Sequence, residues 1–469
     1  MSEELCYLGL REVAGLLQRR ELSAREFMQA QLAQIARWNP RVNAIVAKLP
    51  DEECLALADA ADARISKGHM PGELHGIPWA FKDLEPAVGF PWTRGSPIFR
   101  NERPSSDSIL VERLRAAGVL PIGKTNTPEF GMGSQTFNPL YGITRNPFDV
   151  TKTAGGSSGG AAAALATGML AGADGSDLAG SLRNPAAFNN VVGFRPSVGL
   201  VPSAPGPLPF LGFAVKGPMA RSVADTAFLL AALAGEDARD PGCVPSQPRI
   251  FAANLARSFR GVTVAWCPDL GGLPLDPGIR AVLESRRQVF EDLGCLTEDA
   301  NPHLGAAEEL FLTLRAFRSW VYWGPLLKSH RDQLKPEAVQ EIEAGARLSS
   351  TQVAAAMVQH GQLMERMRRF QEHYPFMVSS VTQVLPFDAS LHWPAQIEGV
   401  AMQHYIAWMR SVYWISAAWL PAVSVPAGFV GALPVGLQIS GRYRDDLGVL
   451  QLAHAFEQAT AVGTRRPLE

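Results

Sequence analysis

Between Ala154 and Gly206 the chain runs almost without charge, and before Arg195 only Asp174, Asp177 and Arg183 carry one. Glycine, alanine and serine dominate this stretch, and such small residues let backbones approach closely. It reads as buried core. Two uncharged runs, Thr153 to Ala173 and Ser411 to Gly441, are long enough to test against a membrane span. The first opens with Gly and Ser and the second is broken by Pro421, Pro426 and Pro434, so both fit an interior better than a bilayer.

The 469 residues, 47% hydrophobic and 19% charged, can bury a large core, and their length alone would allow about three domains. A formal charge of −2 gives no field to gather polyanions, so binding to nucleic acid or to a membrane surface is disfavoured. Small-molecule chemistry is the default. The five cysteines, Cys6, Cys54, Cys243, Cys267 and Cys295, contain no CxxC pair or zinc-type spacing and read as reduced structural thiols. The acidic start, Met1-Ser-Glu-Glu-Leu-Cys, lacks the basic and apolar blocks of a secretory signal. A cytoplasmic protein is expected.

Leu8 to Asn39 has helical periodicity, Ser23 and Glu26 form a capping box, and Pro40 closes the unit. Glu52 to Lys67 is a further amphipathic helix, and Ile77-Pro-Trp-Ala-Phe-Lys-Asp-Leu an apolar strand carrying one lysine, Lys82. Ser108 to Ala117 reads as a helix capped by Gly118, Val119 to Ile122 as a strand, and Ala220 to Gly235 as a helix. Residues from about Gly305 to Glu372 are helical and more charged, and the tail returns to strands at Pro421–Pro426 and Pro434–Ser440 before a helix over Leu447–Thr460. Alternating helix and strand favours α/β layers.

Three motifs compete for the chemistry. Gly118-Val-Leu-Pro-Ile-Gly-Lys-Thr125 matches the Walker A pattern, but Gly118 ends a helix and the following residues form a strand, whereas a phosphate loop opens a helix. Gly156-Ser-Ser-Gly-Gly160 fits GxSxG with Ser158 as nucleophile, and Asp388 with His392 or His404 follow in the order that an α/β-hydrolase needs. A glycine turn with a serine capping the next helix explains the same residues.

The third is a constellation: Lys82, Gly155-Gly-Ser-Ser-Gly-Gly160, and Gly175-Ser-Asp-Leu-Ala-Gly-Ser-Leu-Arg-Asn-Pro185. Here the sequence resembles the amidase signature family, whose hydrolytic centre is a Ser, cis-Ser, Lys triad. Ser157 lies 75 residues after Lys82, and Ser181 lies 24 after Ser157, as the family spacing requires. Further blocks follow in family order: His75-Gly-Ile-Pro-Trp-Ala-Phe-Lys-Asp, Gly123-Lys-Thr-Asn-Thr-Pro-Glu-Phe, Asn146-Pro147, Val192-Gly-Phe-Arg-Pro-Ser, Gly217-Pro-Met-Ala-Arg-Ser-Val-Ala-Asp225 and Leu420-Pro-Ala-Val-Ser-Val-Pro-Ala-Gly428. The Walker-like lysine then falls in a structural block.

The resemblance implies one large α/β domain over residues 1–469, with a central twisted mixed β-sheet covered by helices on both sides. Its core would span about 70–240 and 400–469, behind an N-terminal helical region, 1–70, and with a helical insertion at about 305–395. It also implies the roles: Ser181 nucleophile, Ser157 proton relay on a cis peptide bond, Lys82 base. Leu178, Ala179, Gly180 and Ser181 would give the oxyanion-hole N–H groups, and Gly131, Met132, Gly133 and Ser134 would line the acyl pocket. Ser158, Asp177 and Arg183 would support the site. No cofactor or metal is implied, and a homodimer is compatible with the family.

The chemistry agrees with the sequence around Lys82. A lysine removes a serine proton only when neutral, and its ordinary pKa of about 10.4 makes that form scarce at pH 7. Burial lowers it, and Lys82 lies among Ile77, Trp79, Phe81 and Leu84. Asp83 would oppose this if it faced the amine, but strand alternation turns it away. Two residues depart from the commoner family pattern: Ala179 where glycine is usual, and Asn184 where a branched apolar residue is frequent. Phe210, Phe213, Trp320, Trp323, Trp393 and Trp419 would wall a hydrophobic entrance, favouring an uncharged aryl or alkyl amide, carbamate (urethane) or ester. The alternative within the family is the A subunit of a glutamyl-tRNA amidotransferase, which works with partner subunits.

Overall fold

The computed structural model describes residues 2–67, 72–204 and 206–468. Helices α1 (Leu10–Gln18), α2 (Ala24–Val42) and α3 (Asp51–Ser66) form the N-terminal region. The Ser23–Glu26 capping box opens α2 as expected. Pro40 does not close it; the helix runs two residues further, to a left-handed Asn43 that bonds back to the Asn39 carbonyl at 2.8 Å. Beside α2 lies a small sheet of β1 (Ile45–Val46), β2 (Pro78–Lys82) and β3 (Leu120–Thr125), with β3 in the centre, antiparallel to β1 and parallel to β2. Helix α4 (Ile109–Ala116), capped by Ser108, leads into β3 through Gly118 at φ +96°. Lys124 of the Walker-like run is buried in β3 and donates to the Glu85 carbonyl, so the run is structural.

Eight strands make the main sheet: β4 (Gly172–Asp177), β5 (Val192–Arg195), β6 (Val215–Ala220), β7 (Thr263–Trp266), β8 (Leu296–Asp299), β9 (Phe376–Ser380), β10 (Ala422–Val430) and β11 (Leu433–Gly441). Their order is β8-β7-β9-β11-β10-β5-β6-β4. The β8/β7 and β7/β9 pairs are parallel and the remaining pairs antiparallel, so the sheet is mixed, as expected. Three strands fall outside the expected core. Phe376–Ser380 is the instructive one: it sits in the middle of the sheet although it lies inside the span read as an insertion.

The helices of that span end at residue 373. They are α8 (Ala307–Ser329), α9 (Pro336–Ala346) and α10 (Ser350–His373). Helix α5 (Gly159–Ala166), wholly buried, and the short α6 (Arg183–Phe188) flank β4, and α7 (Val223–Leu233), α11 (Arg410–Ala417) and α12 (Asp446–Thr460) complete the covering layers. Glycine at 160 is a packing requirement, since a Cβ there would stand 2.4 Å from the Asn126 nitrogen. Among the described residues no helix is long and apolar enough to cross a membrane, and the cysteines form no disulfide.

Candidate active site

Lys82 is the last residue of β2, and its position is fixed by a neighbouring strand. Asp174 of β4 accepts the Lys82 backbone N–H at 3.1 Å and the Trp79 indole N–H at 2.9 Å, clamping the small sheet to the large one. The lysine side chain then runs, fully buried, to three hydroxyls. Its Nζ lies 2.8 Å from Ser157 Oγ, 2.8 Å from Ser158 Oγ and 3.0 Å from Ser176 Oγ. Burial lowers the pKa of Lys82 to about 7, against the opposing charges of Asp174, Glu85 and Asp177. Asp83 does turn away, towards the Thr93 hydroxyl and the Thr93 and Gly95 N–H groups.

The Gly156–Ser157 peptide is cis, as the resemblance implied. Ser157 is followed by Ser158, whose N–H donates to the Ser181 carbonyl at 3.2 Å, so the two serine-bearing turns are joined. Ser134, grouped above with the acyl pocket, does not line the cavity at Ser181. It is buried, and its hydroxyl donates to the Gly156 carbonyl at 2.5 Å while accepting the Asn184 amide at 2.8 Å. The unusual Asn184 therefore braces the residue preceding Ser157.

Residues 178–182 leave β4 as a turn built around Asp177. Its carboxylate accepts Gly180 N–H at 2.8 Å and Leu182 N–H at 3.3 Å, and is paired with Arg183 at 3.0 Å and Arg195 at 3.3 Å, all without solvent exposure. Burial alone would raise the Asp177 pKa, but the two guanidinium groups outweigh it and hold the carboxyl well below the usual range. Gly180 N–H is thus directed at Asp177 and not at a developing oxyanion, which leaves Leu178, Ala179 and Ser181 as the candidate donors. Arg183 also donates to Gln438 at 2.6 Å, Ser416 at 2.7 Å and the Val412 carbonyl at 3.1 Å, fastening the turn to β11 and α11. Asp177→Ala would leave two buried cations unpaired; it is expected to lower the free energy of unfolding by ~3–5 kcal/mol. Urea denaturation measures this, and a loss under ~1 kcal/mol would show that the cluster does not carry the turn.

Ser181 is 6% exposed and opens on a pocket with an empty volume of about 430 Å³. Gly131, Met132 and Gly133 line this pocket with Leu178 and Ala179. Of the six aromatic residues expected at the entrance, only Trp323 lines it, stacked on Phe130 with ring centroids 4.4 Å apart. Trp393 borders the adjoining cavity, Phe213 is buried against Phe311, Trp419 packs on His360, and Trp320 and Phe210 are exposed. Arg315, Arg318 and Glu341 stand where a wholly apolar wall was expected. The Ser-His-Asp alternative has no geometry to support it: Asp388 caps its own turn at Ser390, and His392 and His404 are held by Glu337 and Glu308. Ser176 is the contact that sequence reasoning missed; its signal is alternation along β4, which puts 174 and 176 on the same face.

The family model for amidases matches residues 26–450. An acylamidase of Rhodococcus erythropolis is 33% identical, covering 100% of this chain and 98% of that protein. The A chain of the glutamyl-tRNA(Gln) amidotransferase of Methylococcus capsulatus is 33% identical, covering 98% of each. The crystal structure of a bacterial aryl acylamidase of the amidase signature family superposes with a TM-score of 0.91 at 29% identity, covering 98% of this chain and 99% of that one.

Proposed function

The chain belongs to the amidase signature family and is an amide-hydrolysing enzyme, and from that premise we propose that it cleaves small amides through an acyl-enzyme on Ser181, with Ser157 as proton relay and Lys82 as base. The observation that carries this reading is the Lys82 amine, buried, close to neutral at physiological pH and 2.8 Å from Ser157 Oγ. As Ser181 Oγ attacks the carbonyl carbon, its proton passes to Ser157, whose own proton passes to Lys82. The carbonyl oxygen becomes an oxyanion that the N–H groups of the 178–181 turn stabilise. When the C–N bond breaks, Ser157 protonates the departing nitrogen and is reprotonated by Lys82. Water then releases the acid by the same relay in reverse. A carbamate or ester would acylate Ser181 by the same attack, and the Phe130–Trp323 stack favours a substrate with an apolar body.

Labelling with a fluorophosphonate or sulfonyl fluoride, followed by mapping of the modified residue, tests the assignment. The adduct is expected on Ser181; an adduct on Ser158 with Ser181 unmodified would overturn it. The extent of the match to the amidotransferase chain favours a second reading, in which the protein works only in a complex. Hydrolysis of a p-nitroanilide by the chain purified alone supports the free-standing enzyme, and activity that needs partner proteins supports the other.

A further inference from the structure

The pocket at Ser181 carries charge that does not cancel within the protein. Helix α8 turns Arg315, Arg318, Ser319 and Trp323 to it, at the three- and four-residue spacing that aligns side chains on one face. Glu341, the one acidic residue of the lining, is fully engaged: it pairs with Arg315 at 2.9 Å and accepts the hydroxyls of Ser319 and Tyr405. Arg318 has no ion-pair partner among the described residues; its guanidinium carbon lies 4.2 Å from the ring centroid of Tyr322. Arg315 is 6% exposed, and its Nη1 is buried without a hydrogen-bond partner. One carboxylate thus faces two guanidinium groups, and one positive charge and one buried N–H donor are left over. A cation removed from water without a counter-charge is costly. A ligand anion would offset that cost.

We infer that the substrate carries a carboxylate on its acyl part, separated from the scissile carbonyl by a short apolar body, and that Arg318 and Arg315 Nη1 receive it. This rests on the hydrolytic reading above, and the acyl side follows because Gly131 to Gly133 line the same pocket. The apolar body has its own surface in the stacked Phe130 and Trp323. Guanidinium groups suit this role because their planar fork matches a carboxylate.

The test compares glutaryl p-nitroanilide with its methyl ester at pH 8. The acid is expected to show a kcat/KM about tenfold above the ester. Arg318→Gln is expected to bring that ratio close to one and Arg318→Lys to keep part of it, with melting temperatures reporting that both variants fold. A wild-type ratio of one or less overturns the inference, without any variant being needed, and so does a ratio unchanged in a folded Arg318→Gln. In either case hydrolysis of the ester shows that the Ser181 reading survives. A wild-type protein that cleaves neither compound and takes no label at Ser181 removes both.

Discussion

Replacing Ser181 with alanine is expected to lower kcat/KM for a p-nitroanilide by about 10⁴- to 10⁶-fold, the range seen when a nucleophile is deleted from a concerted relay. The nucleophile is the only atom of the relay that bonds to substrate, so nothing else replaces it. Ser158→Ala removes one of three hydroxyls around the Lys82 amine and leaves the nucleophile in place; its loss should be at least about a hundredfold smaller. The two variants therefore separate the readings of the GxSxG run. Steady-state assays on both, with circular dichroism to verify folding, settle the matter. If Ser158→Ala were the more damaging of the two, the roles would have to be exchanged.

Lys82→Ala is expected to cost about 10²- to 10⁴-fold, the usual contribution of a general base, and to change the pH profile. Burial lowers the Lys82 pKa to about 7. The active form is the neutral amine, so kcat/KM should rise with pH through about 7 and level off above it. Below that point the amine is protonated and activity falls, by about tenfold per pH unit. A profile from pH 5.5 to 9 checks this with wild type, and Lys82→Met, which keeps most of the stem, should lose that limb. An unaltered limb in a folded variant would assign the titration to another group.

Much of the site was legible in the sequence because its residues are tied to local backbone demands. Lys82, Ser157 and Ser181 stand in glycine-rich or strand segments whose spacing is distinctive, and the structure places Lys82 against Ser157 and Ser158. What escaped were contacts that depend on distant elements. The Asp174 clamp needs the small sheet to lie against β4, and the bond from Asn184 to Ser134 joins residues of two separate turns. Aromatic residues were the poorest guide, since Phe213 and Trp323 carry the same apolar signal, and only the packing of α8 decides which one meets the pocket. The strand Phe376–Ser380 was hidden for a similar reason: five buried residues directly after a charged helix have no pattern of their own.

The bonds from Arg183 to Gln438 and Ser416 set a timetable for synthesis. All three residues of the proposed relay have left the ribosome once Ser181 has been added, yet the strand that anchors the nucleophile's turn is still unmade. At ~5–20 residues per second, Gln438 follows on the order of tens of seconds later. A nascent chain therefore holds a serine, a serine and a lysine but no finished catalyst, and hydrolytic competence is acquired near the end of translation, when the last strands of the sheet close over Arg183.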